Sequence, residues 1–242
     1  MWVWFVVVAL SLLPFFHWFR GTPHQLAAIK ELEDSLPEGL LDDDAAWVDA
    51  WKASGIDQQV YTPYFSQLDN ASGEGYRECF SSAAAMVAAF YRKVETDDEY
   101  NNVRQGFGDS AVIGAQIETL KTLGLNVEFR IDGDAEMIEM EIEMGRPVLV
   151  GWLHRGDLSR GEQPECDSNN CGHWSLITGY KGKNSSNPSW VMQDPRGKPD
   201  LIRGGHSSPA GGEQIEVRQS EFSPRWEVDG VGTGWVILVD ES

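Results

Sequence analysis

The stretch Cys79-Phe-Ser-Ser-Ala-Ala-Ala-Met-Val-Ala-Ala-Phe-Tyr91 decides how this chain is read. Its apolar run has the composition of a buried helix. The residues before it, Gln67-Leu-Asp-Asn-Ala-Ser-Gly-Glu-Gly-Tyr-Arg-Glu78, are irregular, so Cys79 stands where the helix begins. A thiol at that point lies among unpaired backbone N–H groups at the positive end of the helix macrodipole, which lowers its pKa and favours the thiolate. The pattern predicts a nucleophilic cysteine.

Two later segments carry the groups such a thiol needs. His173 lies in Gly172-His-Trp-Ser-Leu-Ile-Thr-Gly-Tyr180, and Asp194 lies in Trp190-Val-Met-Gln-Asp-Pro-Arg-Gly197. A cysteine on a helix, then a histidine and a carboxylate on later strands, is a chain order for thiol catalysis. If residues 173–180 and 190–194 form a hairpin about the 181–189 loop, pairing symmetric about position 183 or 184 sets His173 opposite Asp194. Cross-strand neighbours have Cβ atoms about 5 Å apart, within reach of an imidazole–carboxylate hydrogen bond. His173 would then take the thiol proton and return it to the leaving amine, while Asp194 fixes the tautomer. The competing role for Asp194 is a strand-end turn former before Pro195. Should His173 and Asp194 only hold up the sheet, His154 and His206 are the histidines left to consider. For the oxyanion, the Cys79 N–H supplies one donor and the Gln67 side-chain amide a second; the alternative for Gln67 is a solvated loop amide.

The 242-residue chain carries 19 Lys and Arg against 38 Asp and Glu, a net charge of −19. That charge repels phosphate backbones, which excludes nucleic acid as a partner, and it reads as a well-solvated surface. The length suits one catalytic domain with extensions. Three cysteines occur: Cys79 alone, and the close pair in Cys166-Asp-Ser-Asn-Asn-Cys171. The pair is a candidate disulfide in an oxidising compartment, two free thiols in a reducing one, or part of a zinc site with His173 that lacks a convincing fourth ligand. No cofactor and no metal is expected.

Residues 1–20 read as a hydrophobic signal or anchor, ending at Arg20, with a core or interfacial helix broken at Pro14 as the alternative. Association with a membrane would run through residues 1–19. Residues 21–58 read as a helical extension, with two short amphipathic helices between His24 and Ser54. From residue 59 to 242 one domain is expected. After the Cys79 helix comes a polar stretch with turn signals, then a helix over 114–124 and a strand over 126–130. A helix over 135–144 and a buried strand over 146–154 follow, and 234–240 is a closing strand. Helices precede strands, so the class is α+β with a mostly antiparallel sheet.

Five segments together resemble one family: Pro63-Tyr-Phe-Ser-Gln67, Cys79 with its small-residue helix, Arg146-Pro-Val-Leu-Val-Gly-Trp152, the His173 segment and Gln193-Asp-Pro-Arg-Gly197. In this order they look like the C39-like cysteine peptidases of the papain-like superfamily, over roughly residues 60–200. The resemblance implies a papain-like fold in which Gln67 corresponds to the oxyanion glutamine, Cys79 to the nucleophile, His173 to the base and Asp194 to the orienting residue. Two departures bear on the oxyanion geometry. Phe80 stands where a glycine usually follows the cysteine, and eleven residues separate Gln67 from Cys79. Transporter-linked members cut leader peptides after a double glycine and are fused to a membrane domain and a nucleotidase. This sequence shows no multi-span region and no phosphate-binding Gly-x-x-x-x-Gly-Lys-Ser/Thr loop, so a stand-alone member is expected. Its substrate would be a peptide or protein, from the cell wall or secreted, met at or outside a membrane, with a cytoplasmic or phage-encoded protein as the alternative. Two other functions stay open: a catalytically silent papain-like binding module, and a thiol amidase or transacylase.

Overall fold

The computed structural model describes residues 56–165 and 172–241. The signal or anchor segment, the two amphipathic helices and the Cys166–Cys171 pair all lie outside the described residues. Among the described residues no helix is long and apolar enough to cross a membrane. Gln58–Ser242 forms one compact unit, and the described residues carry five α-helices and nine strands. In chain order these are β1 (Ile56–Gln59), α1 (Cys79–Phe90), α2 (Asp97–Arg104), α3 (Ile113–Thr122), β2 (Asn126–Gly133), α4 (Ala135–Glu143) and β3 (Val148–Leu153). Then come β4 (Gly172–Lys181), β5 (Ser189–Gln193), β6 (Lys198–Pro199), β7 (His206–Ser208), β8 (Ile215–Arg218), α5 (Gln219–Trp226) and β9 (Gly234–Asp240).

One sheet runs β2-β9-β3-β4-β5-β8, with β1 also pairing with β4, and β6 and β7 form a small second sheet. Every pair along the main path is antiparallel. The architecture is α+β with a mostly antiparallel sheet, as the sequence implies.

The central helix is α1, and all residues from Phe80 to Phe90 are buried. Alanine at 83, 84, 85, 88 and 89 lets the helix lie close to the sheet, where it packs on β4 and against α2 and α3. Its two serines keep partners in that setting: Ser81 Oγ accepts from Gln116 Nε2 at 3.0 Å, and Ser82 Oγ donates to Asp97 at 3.0 Å. Met86, Val87 and Phe90 join Leu149, Leu176 and Ile237 in one hydrophobic core. Each such buried side chain contributes about 1.5–3 kcal/mol relative to exposure. Gly124, at φ +85°, ends α3: its N–H reaches Lys121 O and the next N–H, from Leu125, reaches Leu120 O, so the spare carbonyls are capped as the chain turns into β2.

Two differences from the sequence reading matter. The polar stretch after α1 contains a helix, α2, capped by Thr96, whose hydroxyl accepts from Glu99 N at 3.2 Å. The hairpin register also differs. Near its turn β4 pairs with β5 as Lys181↔Ser189, Tyr180↔Trp190 and Gly179↔Val191, but past a bulge at Thr178 it pairs as Ile177↔Met192 and Leu176↔Gln193. Continued one step, this faces Asp194 with Ser175 rather than with His173. The bulge changes the phase by one residue, and a one-residue slip exchanges the faces of a strand. Because of it Asp194 shares a face with Ser175 and His173, and His173 becomes its diagonal neighbour. Gly179 sits beside this bulge because β1 crosses there: a Cβ would meet Gln58 O at 2.6 Å.

Candidate active site

Cys79 is the first residue of α1, and its side chain is half-buried. Behind it Glu78, a buried carboxylate, accepts from Asn70 Nδ2 at 2.8 Å and Ser72 Oγ at 2.6 Å, and pairs with Arg104 at 3.4 Å. Asn70 also donates to Ser82 Oγ at 3.2 Å. These bonds fasten the irregular 67–78 segment to the first turn of the helix. Gln67 opens a 3₁₀ turn, Gln67–Asp69, and is 1 % exposed, so the solvated-amide alternative does not describe it. One of its amide N–H bonds goes to Gly75 O at 2.5 Å, which leaves the other for a ligand. Gly75 admits this approach because a Cβ there would stand 2.0 Å from Gln67 O.

The sheet side is denser. His173 Nε2 lies 3.0 Å from Asp194 Oδ1 and 3.1 Å from Oδ2. The other ring nitrogen, Nδ1, is left for the Cys79 thiol, whose charge acts on this imidazole. Asp194 is fully buried. It also accepts from Ser175 Oγ at 3.1 Å and from Arg196 N at 2.9 Å, and Ser175 in turn accepts from Trp152 Nε1 at 3.0 Å. The main chain ties both sides together: Tyr64 Oη donates to Asp194 O at 3.0 Å, and Gln67 N donates to Pro195 O at 2.8 Å.

Charge follows from this packing. Burial by itself opposes ionisation of His173, yet the Asp194 carboxylate, the Cys79 thiolate and hydrogen bonds to both carry its pKa up to about 10. Burial likewise pushes the Cys79 thiol up, but the His173 charge, its hydrogen bond and the backbone of Trp174 outweigh it, so the net shift is downward. Burial also raises Asp194, and the charge and hydrogen bond of His173, together with those of His206, hold it well below the usual carboxylate range. Both shifts favour the charged pair, thiolate and imidazolium, over the neutral one.

Phe80, the unusual residue after the cysteine, is accommodated by a stack. Its ring lies parallel to that of Trp174, the residue after His173, with centroids 3.9 Å apart and planes 6° apart. Trp174 rests on the other side against Gly151, where a Cβ would stand 2.9 Å from the indole. The two residues that follow the thiol and the imidazole therefore lock their elements to one another.

No protein-family model and no curated protein matches the chain. Among solved structures it is similar to a protein described as a C39-like peptidase from Bacillus anthracis, at 15 % identity and a TM-score of 0.50, over 77 % of this chain and 99 % of that one. The fold is that of a C39-like peptidase. Two further structures are similar over most of their length. A double glycine motif protease from an AMS/PCAT transporter, in complex with its leader peptide, has 14 % identity and a TM-score of 0.46 over 77 % of this chain and 96 % of that one. The peptidase domain of Streptococcus ComA, a bi-functional ABC transporter, has 15 % identity and a TM-score of 0.43 over 69 % and 93 %.

On this C39-like fold two further histidines, His154 and His206, lie beside His173. His206 Nε2 lies 3.1 Å from Asp194 Oδ1. Its ring is 4.7 Å from that of His173, and the His154 ring is 5.9 Å from His173. Burial first, then the charges of His173 and His206, hold His154 down at about 4, and burial also lowers His206. Ser175 was readable as a same-face neighbour of His173; His206 was not, since it arrives on the loop 200–205 and the short strand β7. That loop is held by Gly205 N donating to His154 O at 2.6 Å and by Arg225, a fully buried guanidinium. Arg225 donates to the backbone oxygens of Leu153, Arg155, Gly156, Leu201 and Ile202.

Proposed function

We propose that the protein is a cysteine endopeptidase. The observation that carries this reading is a single imidazole, His173, hydrogen-bonded to a buried carboxylate and electrostatically coupled to a helix-start thiol. The Cys79 thiolate attacks the scissile carbonyl carbon, and the negative charge moves to the carbonyl oxygen. The Cys79 N–H and the second Gln67 N–H stabilise that oxyanion. As the C–N bond breaks, His173 Nδ1–H protonates the leaving amine, giving a thioester at Cys79. A water then gives its proton to His173 and attacks the thioester, releasing the carboxylate product and restoring the thiolate. Asp194 accepts from Nε2–H throughout, which holds the ring in register and favours the imidazolium. Phe80 does not argue for a silent binding module, because its ring is taken up by Trp174. Substrates are peptides of the cell wall or secreted polypeptides, and the apolar segment 1–19 would set the activity at or outside a membrane.

The test is cleavage of a peptide library and of purified peptidoglycan, with new amino termini identified. Native protein cleaves, while iodoacetamide treatment or Cys79→Ala removes at least about 10⁴-fold of the turnover. Full turnover in Cys79→Ala would falsify the assignment. An added amine that diverts the acyl group would assign the same thiol to transfer rather than hydrolysis.

A further inference from the structure

His206 has no part in the mechanism above, yet it is aimed at its centre. Its Nε2 and that of His173 both point at Asp194 Oδ1, at 3.1 and 3.0 Å. Arg196 N donates to the same oxygen at 2.9 Å. Three N–H groups thus converge on an oxygen that has two lone pairs, although His173 is shared with Oδ2. Two imidazole nitrogens and a carboxylate facing one point, with their ligand atoms all within 4.8 Å of one another, form the His₂-carboxylate set that suits zinc. Zinc binds such atoms at about 2.0–2.2 Å, so side-chain adjustment alone brings a triangle of this size around an ion. The surroundings suit a three-ligand site. Asp194 and His173 are buried, His206 is part-buried, and Trp152 packs edge-on against His173 at 5.1 Å.

We propose that His173, Asp194 and His206 form a zinc-binding site that holds the peptidase in a reversible resting state. The ion takes both Nε2 lone pairs and one Asp194 oxygen, with water completing its shell. The Nε2 proton of the His173 imidazolium goes to solvent, and neutral His206 shifts its own proton to Nδ1. His173 keeps Nδ1–H against Cys79, as a zinc-bound imidazole keeps its second-nitrogen partner. It can no longer take a proton from water, and giving up Nδ1–H would require an imidazolate. Zinc on Nε2 therefore stops general acid–base exchange without touching the thiol.

The experiment is equilibrium dialysis of the full chain against micromolar Zn²⁺, with metal counted per chain. Native protein, Cys79→Ala and the double variant Cys166→Ser/Cys171→Ser are each expected to bind one zinc. His206→Ala and His206→Gln are expected to bind at least tenfold more weakly; the glutamine keeps a donor for Asp194 and covers the case in which alanine does not fold. Stoichiometric zinc in a folded His206 variant at native affinity overturns the proposal. So does loss of zinc from Cys79→Ala, which would mean a thiolate site, or from the double variant, which would mean a site at the Cys166–Cys171 loop. No zinc on the native chain also overturns it. These readouts need no turnover, so they stand apart from the peptidase reading. Where turnover is measured, zinc inhibits the native protein, a chelator restores it, and His206→Gln needs at least tenfold more zinc.

Discussion

The two halves of the site are built differently. On the helix half, Cys79 and Gln67 are positioned by main chain: a helix start, a 3₁₀ turn and a glycine that lets two backbone segments touch. On the sheet half, His173, Asp194 and His206 are positioned by side chains that hydrogen-bond to one another, and every one of them titrates. The helix half supplies fixed dipoles, which act on the transition state whatever the pH. The sheet half supplies charges that hold each other up, so a change to one moves the pKa of the next. Damage to the fixed dipoles should cost rate alone, and damage to the sheet charges, or to the thiol coupled to them, should also reshape the pH profile.

The sharpest way to break this comparison is His173→Ala. In the proposed mechanism it removes the proton carrier and the counter-charge of the thiolate, so turnover falls about 10³–10⁴-fold. Labelling of Cys79 by iodoacetamide at pH 7 should slow with it. Unchanged labelling would mean that the helix start alone ionises the thiol. Gln67→Ala comes next, with a loss of about 10²–10³-fold in kcat and unmoved limbs of the pH profile.

Asp194→Asn should cost less, because an amide oxygen still accepts from His173 Nε2–H although it stabilises the imidazolium poorly. Here the profile does move. The alkaline limb, set by His173 at about 10 in the native protein, shifts to lower pH when the carboxylate charge is gone. Stability shows the same linkage. The folded pKa of His173 lies above its ordinary 6.5, so its contribution is full below pH 6.5 and fades as pH rises towards 10. Asp194 is held below its ordinary 3.8, so its contribution is present above that value and is lost as pH falls through the depressed range. Melting temperatures of native protein and Asp194→Asn across pH check both signs.

The smallest effect is expected at Asp97, behind the helix half. Burial first, then Asp98 and Asp69, push it up to about 6 against the hydrogen bond from Ser82. Its ionisation therefore opposes folding above about pH 6, and that burden is lifted as pH falls below 6. Asp97→Asn should stabilise the fold by about 1 kcal/mol, or a Tm rise of about 2–4 °C, at pH 8. The gain should shrink by pH 5. An equal gain at both pH values would assign it to packing.

Much of the helix half could be read from residues alone, because a helix start is a local event. The Cys79 stretch, the Gly124 end of α3 and the closing strand 234–240 all stand where composition and periodicity put them. What escaped depends on non-local pairing or on weak local signals. The Thr178 bulge, which turns Asp194 to the His173 face, answers to β1 crossing at Gly179, a contact between residues far apart in the chain. The helix α2 is polar throughout, with the Thr96-x-x-Glu99 cap as its readable sign. Pro224 inside α5 hides that helix in the same way. His206 could not be assigned from sequence because the loop that brings it in has no periodic pattern.

The Arg225 clamp has a consequence for how this region opens. Its bonds go to backbone oxygens on two separate loops, 153–156 and 201–202, so neither loop can lift away without breaking part of the same fork. Amide hydrogens on both sides, such as Leu158 N on Ile202 O and Gly205 N on His154 O, should therefore exchange with deuterium as one cooperative unit rather than as two fraying edges. Lysine, a point charge without the planar fork, would bridge fewer of these oxygens, and the two loops would then exchange at separate rates.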